Sequence, residues 1–318
     1  MNHDVIVIAA STGGVAPLLE LVPHLPRDLR ASLFIVLHTV PNWQSPLPEL
    51  LSTRGPLPAR HPLHQEKIAP GHIYIAPPDN HLMLRADGSM AVVRGPRENG
   101  HRPAGDALFR SAAASFGARV IGVVLSGHQN CGSAGMLSIR ARGGVCVVQQ
   151  PDSAEAPEMP RSVLDIMAVD HVVTPAALPG LLTQLVASQV TRSREPDAVV
   201  AQIEGRQPGA PAGLACPLCH GALQQTKAGE FEHFRCHVGH TFTVESLLHG
   251  QNEDLERALW SAVRVLEESA TMAQRLSDSG TRELRARFSE KARTHAEQAE
   301  LIRGILLRGT GMTVDAAS

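Results

Sequence analysis

The sequence predicts an α/β fold: a doubly wound, mostly parallel sheet with an antiparallel hairpin excursion, followed by a small Cys/His-rich module and a helical hairpin. Three observations carry this. Val5–Ala9, the run Ser32-Leu-Phe-Ile-Val-Leu and Val120–Leu125 are apolar segments of strand length, as expected for strands covered on both faces. Helical patterns alternate with them, which is the rhythm of a parallel sheet. Beyond residue 213 that rhythm stops, and paired cysteines and then a long apolar periodicity replace it.

The elements follow in order. Asp4–Val15 reads as a buried strand, a tight turn at Gly13-Gly14 and the start of a helix, which places Ser11 at the carboxyl edge of the sheet. Ala16–Leu25 is helical, and the second strand ends at His38. From His72 to Arg94 the texture changes to a strand and then a hairpin around Asp87-Gly88, an antiparallel excursion. Ala107–Phe116 is a helix, Val120–Leu125 a strand ending in Ser126-Gly127, Ala134–Arg142 a helix and Val145–Val148 a strand. Helical patterns at Val163–Met167 and Leu178–Val186, around a short apolar Val172-Val173, close a domain spanning 1–188. Residues 189–213, rich in Pro, Gly, Ala and Gln, read as a linker. A Cys/His module occupies 214–248. In 249–318, Leu255, Leu259, Ala262, Leu266, Ser269, Ala273 and Leu276 form a four-three seam, and a second helix runs from about Arg282 to Leu307 after Ser279-Gly280. That hairpin is read either as a packed tail or as the seam of a homodimer.

Composition bounds the function. A chain of 318 residues holds one core of roughly 200 residues plus smaller modules. Formal charge is −2 and neither end carries a basic block, so the electrostatic footprint of a nucleic-acid binder is absent. No apolar run approaches the roughly 18 residues of a membrane span, and no charged leader precedes the first strand, so a soluble, cytoplasmic protein without membrane insertion is expected. Of five cysteines, three cluster and two, Cys131 and Cys146, stand alone, which fits metal binding and reduced thiols better than a disulfide framework.

Ser11, His38 and the Gly127–Gly132 loop each follow the carboxyl end of a different buried strand, where open α/β sheets gather their ligand-binding groups. A serine and a histidine in equivalent positions suit hydrolysis. The imidazole takes the hydroxyl proton as serine attacks a carbonyl, and N–H groups at the helix start, Thr12 and its successors, are placed to hold the oxyanion. The blander reading is a serine that only caps a helix. A phosphate loop is a third, but no Gly-Lys-Ser/Thr or dinucleotide fingerprint follows.

Several segments agree in order with one known family: Ala10-Ser-Thr-Gly-Gly, Val36-Leu-His-Thr-Val-Pro, Gly71-His-Ile-Tyr-Ile-Ala-Pro-Pro-Asp-Asn-His, His101-Arg-Pro-Ala-Gly-Asp-Ala-Leu-Phe, Val124-Leu-Ser-Gly-His-Gln-Asn-Cys-Gly and Met159-Pro. On these, residues 1–188 resemble the chemotaxis protein-glutamate methylesterases, the CheB-type catalytic domain. The resemblance implies Ser11 as nucleophile and His38 as general base, with no catalytic cofactor. The implied substrate is glutamate γ-methyl ester on the cytoplasmic helices of methylated chemoreceptors or similar signalling proteins, hydrolysed to carboxylate and methanol. Two departures stand out. The family normally carries an N-terminal receiver domain, whereas this chain opens at the esterase-like segment, so control is expected to come from elsewhere. Cys131 stands where the family has the Asp that orients the histidine, and His128 stands where it has Met. A neutral thiol is a poor acceptor, and loss of the acid in a Ser-His-Asp site costs roughly 10⁴ in rate, about 5.4 kcal/mol of barrier. The expectation is a weakened esterase. The rival is a catalytically impaired esterase fold kept as a binding or regulatory module.

Cys216-Pro-Leu-Cys219 and Cys236-His-Val-Gly-His240 supply two ligand pairs whose spacing fits a tetrahedral Cys3His zinc site, with His237 the competitor for the fourth position. Four protein ligands leave no open position, so a structural zinc is expected. A segment this short needs such a staple to fold. The module resembles an appendage of some receiver-less esterases of the family, and it is expected to unfold on its own, across the linker, without disturbing the domain before it.

Overall fold

The structure, a computed structural model, describes residues 2–38, 45–190, 209–228, 231–279 and 281–308. Most of the expected linker, 191–208, lies outside them. The chain divides into two compact units, Met1–Leu247 and Leu248–Ser318.

In the first unit, β1 (Val5–Ala10), β2 (Ser32–Leu37), β7 (Val120–Val124) and β8 (Val145–Gln149) are buried along their whole length. With β3 (Ala59–Arg60), β4 (Ile73–Ile75) and β9 (His171–Val173) they form a seven-stranded sheet of order β3-β4-β2-β1-β7-β8-β9. Every pairing in it is parallel. The period of two divides each strand between the faces. Ile6, Ile8 and Ala10 pack with Leu18 and Leu21 of α1 (Val15–Leu21), Leu51 of α2 (Leu47–Arg54) and Leu178 and Leu182 of α6 (Leu178–Ala187). Val5, Val7 and Ala9 pack with Leu108 and Phe109 of α3 (Gly105–Phe116), Met136 and Ile139 of α4 (Ser133–Ala141) and Met159 and Val163 of α5 (Glu158–Ile166). Burial on both faces, worth about 1.5–3 kcal/mol for each large aliphatic side chain, is why these strands read as unbroken apolar runs.

The hairpin excursion is β5 (His81–Leu84) paired antiparallel with β6 (Met90–Val93). Ile73–Ile75, which the sequence groups with it, joins the main sheet instead, parallel to β2. Its three residues are fully buried, so their apolar texture does not distinguish the two sheets.

The Cys/His segment is a four-stranded antiparallel sheet: β10 (Ala210–Ala215), β11 (Ala222–Ala228), β12 (Phe231–Cys236) and β13 (Thr241–Thr243). It begins inside the expected linker, and α7 (Val244–Ser279) starts before residue 248. It belongs to the first compact unit. The Asn99 N–H donates to Thr241 O at 2.8 Å, and a Cβ on Gly239 would lie 3.0 Å from Pro96.

In the second unit α7 continues and α8 (Arg282–Leu307) folds back along it. Ser277 Oγ donates to Arg285 O at 3.0 Å, and Arg303 pairs with Glu267 further along. The buried line on α7 includes Val263, Ala273 and Ser277, facing a helix that buries Ala292 and Ala299. Leu255 and Leu276 of the expected seam are 50% and 43% exposed. Ala273 of that seam is buried and Leu259, Ala262, Leu266 and Ser269 are half-buried, so the seam is covered along its middle and open at its two ends. Among the described residues no helix is long and apolar enough to cross a membrane.

Candidate active site

Three neighbouring strands deliver the candidate residues to one edge. Ser11 leaves the end of β1, its N–H donating to Ser126 O at 2.9 Å on the β7 side, while the His38 N–H donates to Ala10 O at 3.1 Å on the β2 side. The turn is then closed by Gly14 N–H to Ser11 O at 2.9 Å. Gly13 lies at φ +73°, and a Cβ there would sit 2.5 Å from Glu155 Cβ and 2.7 Å from Ser126 Oγ, so both conformation and space demand glycine. Gly127 is as constrained: a Cβ would lie 2.7 Å from Ser11 Cβ and 2.1 Å from Met159 Sδ, which puts the start of the β7 loop directly against the serine.

Ser126, to which the sequence assigns no role, ties this turn together. Its Oγ donates to Thr12 O at 2.8 Å and accepts the Ala156 N–H at 2.9 Å, and its N–H donates to Gln149 Oε1 at 3.0 Å. The signal for it was its place at the end of a buried strand. Thr12 is exposed at the turn. His128 is exposed too, its Nδ1 3.2 Å from Glu158 Oε1.

The His38 ring stacks on His101, centroids 3.8 Å apart and planes 13° from parallel. Among the described residues neither ring nitrogen of His38 has a hydrogen-bond partner, and both are shielded from solvent. Burial first, and the neighbouring His101 second, hold its pKa well below the ordinary imidazole value, so the ring is neutral at pH 7.

Cys131 is fully buried, and its Sγ accepts the Gly105 N–H at 3.1 Å instead of engaging His38. Burial first, then the Asp106 carboxylate, push the thiol well up, so it stays protonated. The carboxylate beside it is occupied. Asp106 accepts the Gly132 N–H at 3.0 Å, the Gly135 N–H at 2.7 Å and Asn99 Nδ2 at 2.9 Å. Despite those donors burial raises its pKa. His101 and Asp106 both lie in a segment the sequence singles out, but nothing local in it indicates a stacking ring or a buried carboxylate.

At the Cys/His module, ligand atoms of Cys216, Cys219, Cys236 and His240 all lie within 4.8 Å of one another. Cys219 Sγ is 3.7 Å from Cys236 Sγ, and His240 Nδ1 is 3.6 Å from both Cys216 Sγ and Cys236 Sγ. A tetrahedral ion with metal–sulfur and metal–nitrogen bonds of about 2.3 and 2.0 Å requires edges of roughly 3.8 and 3.5 Å. The donor set therefore fits a metal as it stands. His237 is not one of this set; its ring packs at Gly221, where a Cβ would meet it at 2.5 Å and Cys219 Sγ at 3.5 Å.

Among the described residues, a doubly wound sheet sets a serine turn and a neutral imidazole without a hydrogen-bond partner on adjacent strands, an arrangement compatible with a hydrolase of the α/β class. The family model described as CheB methylesterase matches residues 6–182. A protein-glutamate methylesterase/protein-glutamine glutaminase of Anaeromyxobacter dehalogenans is 38% identical over 175 residues, covering 55% of this chain and 51% of that protein. A putative protein of the same description from Leptospira interrogans is 32% identical, covering 58% of this chain and 96% of that one. The protein-glutamate methylesterase FrzG of Myxococcus xanthus is 34% identical over 56% of this chain and 53% of its own length. The crystal structure of the Thermotoga maritima CheB methylesterase catalytic domain superposes with a TM-score of 0.56 at 29% identity, covering 58% of this chain and all of that one. The chain belongs to the CheB methylesterase family. It spans about half the length of the Anaeromyxobacter and Myxococcus relatives and nearly all of the Leptospira one.

Proposed function

We propose that the chain is a protein-glutamate methylesterase acting on glutamate γ-methyl esters of chemoreceptor cytoplasmic helices or similar signalling proteins, in the cytoplasm and without a catalytic cofactor. The observation that supports this best is the Ser11–Gly14 turn, seated on β1 between the His38 strand and the β7 loop, in a chain whose relatives are named for that activity. Ser11 Oγ attacks the ester carbonyl while neutral His38 takes its proton. Backbone N–H groups at Thr12 and His128 are the proposed oxyanion donors. The imidazolium then protonates the departing methoxide, and water repeats the sequence on the acyl-enzyme.

Among the described residues no charge stands behind the base. Cys131 is a protonated thiol bonded to Gly105, and the Asp106 carboxylate is engaged by three other donors. The imidazolium that forms on His38 therefore goes unsupported, and the rate falls by roughly 10⁴ relative to a site with the acid. Zinc is the ion we assign to Cys216, Cys219, Cys236 and His240, in a structural role because the four ligands close the coordination sphere.

Methanol release from a methylated receptor cytoplasmic fragment tests the reading. Wild type is expected to hydrolyse it slowly, and Ser11→Ala to lower the rate by about 10² more, the part of a full triad's contribution that remains after loss of the acid. Equal rates for the two proteins would remove Ser11 from the mechanism. No release by wild type or by Cys131→Asp would leave the fold as a binding module.

A further inference from the structure

The Cys/His module reaches the loop that carries Cys131 from both sides. That loop enters α4 through two residues in the left-handed region, Gln129 at φ +63° and Gly132 at φ +102°, of which only the second is glycine. A non-glycine residue there persists only where its surroundings hold it. No side chain from the N-cap position caps α4, although a helix start leaves N–H groups in need of acceptors. Asp106 meets that need at Gly132 and Gly135. Asn99 in turn fixes Asp106 through Nδ2 at 2.9 Å, while its own Oδ1 accepts the Thr243 N–H at 3.1 Å and Ser246 Oγ at 2.8 Å. On the other side of Cys131, Asn130 Nδ2 donates to Thr243 Oγ1 and, at 2.7 Å, to Glu245 Oε2. Asn99, Asn130, Asp106, Thr243 and Ser246 are all buried. Both chains of hydrogen bonds end on the segment 241–246, immediately after the ligand His240.

We propose that Asn99 and Asn130 are positioning residues through which the Cys/His module holds the 127–135 loop, and with it position 131, at the Ser11–His38 edge. The module is then a built part of the esterase site and not an appendage that unfolds alone. A buried amide whose partners are removed leaves donors unmatched in a dry environment, so such a network is held or lost as a unit. Metal at Cys216, Cys219, Cys236 and His240 acts on the loop through these side chains, by fixing the turn that precedes Thr241. The kinetic consequence rests on the esterase reading; the structural one does not.

The test uses the full-length, metal-loaded protein with hydrogen exchange read peptide by peptide and alkylation of Cys131 by iodoacetamide read by mass spectrometry. Asn99→Ala and Asn130→Ala are each expected to speed exchange across 127–135 by about tenfold or more and to open Cys131 to alkylation, with β1, β2 and β8 unchanged. Removing the metal from wild type with a chelator is expected to do the same, and to add little in the double variant. On methylated receptor fragment, kcat is expected to fall about tenfold with KM held within about twofold, the pattern of lost positioning. Exchange that rises uniformly over the domain would make the residues merely structural and overturn the proposal, as would a 127–135 loop indifferent to metal removal. If Asn99→Ala does not fold, Ser246→Ala removes one donor to Asn99 Oδ1 and is expected to give a smaller change of the same kind; no change there overturns it equally. Failure of the esterase reading would show separately, as no hydrolysis by wild type with the loop responses intact.

Discussion

His38 and Asp106 are two buried ionisable groups at the same edge of one sheet, and they are treated in opposite ways. Asp106 is met by three donors, the Asn99 amide and two backbone N–H groups at the start of α4. Neither nitrogen of His38 has a partner among the described residues, and the His101 ring stacks on it. A buried polar group without partners is costly, and folds tolerate it where it serves chemistry more readily than where it serves packing. The carboxylate is thus spent on architecture, and among the described residues the imidazole nitrogens are left without a partner, as the proposed base requires. Cys131 is fixed through Gly105 to the architectural side, and as a protonated thiol it contributes no charge.

The largest way to break this contrast is Asp106→Ala. Two backbone N–H groups and the Asn99 amide would be left unmatched at about 1 kcal/mol or more each, so a loss of about 3 kcal/mol is expected, read as a lowered denaturant midpoint at unchanged slope. Asp106→Asn, which keeps the shape, should lose less. A stability unchanged by Asp106→Ala would mean that water serves those donors as well, and the architectural half of the comparison would go.

The other half is sharpened by Cys131→Asp. A carboxylate there can fix the tautomer of His38 and support its imidazolium, so methyl-ester hydrolysis should rise by about 10², or about 2.7 kcal/mol. Recovery stays below the full 10⁴ because the new acid shares the Gly105 N–H and sits beside the Asp106 carboxylate. A fall in rate would instead point to Cys131 acting as a thiolate, against the burial that keeps it protonated.

What the sequence revealed divides along the same line. Strands buried on both faces are visible as apolar runs, so the places of Ser11 and His38 directly after β1 and β2 were legible without a structure. The two residues of β3 carry no pattern, and β4 is too short for its buried face to show which sheet it joins. The paired ligands of the Cys/His module were legible because thiolate spacing is local. Its attachment was not: Asn99 and Ser246 are 147 residues apart, and an asparagine in a polar loop looks the same whether it faces solvent or a buried carboxylate. The stacking of His101 on His38 was hidden for the same reason.

The smallest effect concerns pH, and it separates the two residues most cleanly. The folded pKa of His38 lies well below its unfolded value of 6.5, chiefly through burial. Between those two values the unfolded chain binds the proton and the folded one does not, so the contribution of His38 to stability is present above pH 6.5 and is lost as pH falls through that window. In the proposed mechanism activity follows the same group. The acid limb of kcat/KM should lie well below pH 6.5 and the rate should be flat through neutrality, because the base is already unprotonated. Cys131→Asp should move that limb upward, since a nearby carboxylate favours the imidazolium. His101→Ala should move it up by less, because burial is the larger cause and His101 the smaller. A wild-type limb at the ordinary imidazole value would show that His38 is not the proton acceptor or that solvent reaches it, and a limb unmoved by Cys131→Asp would separate position 131 from the base altogether.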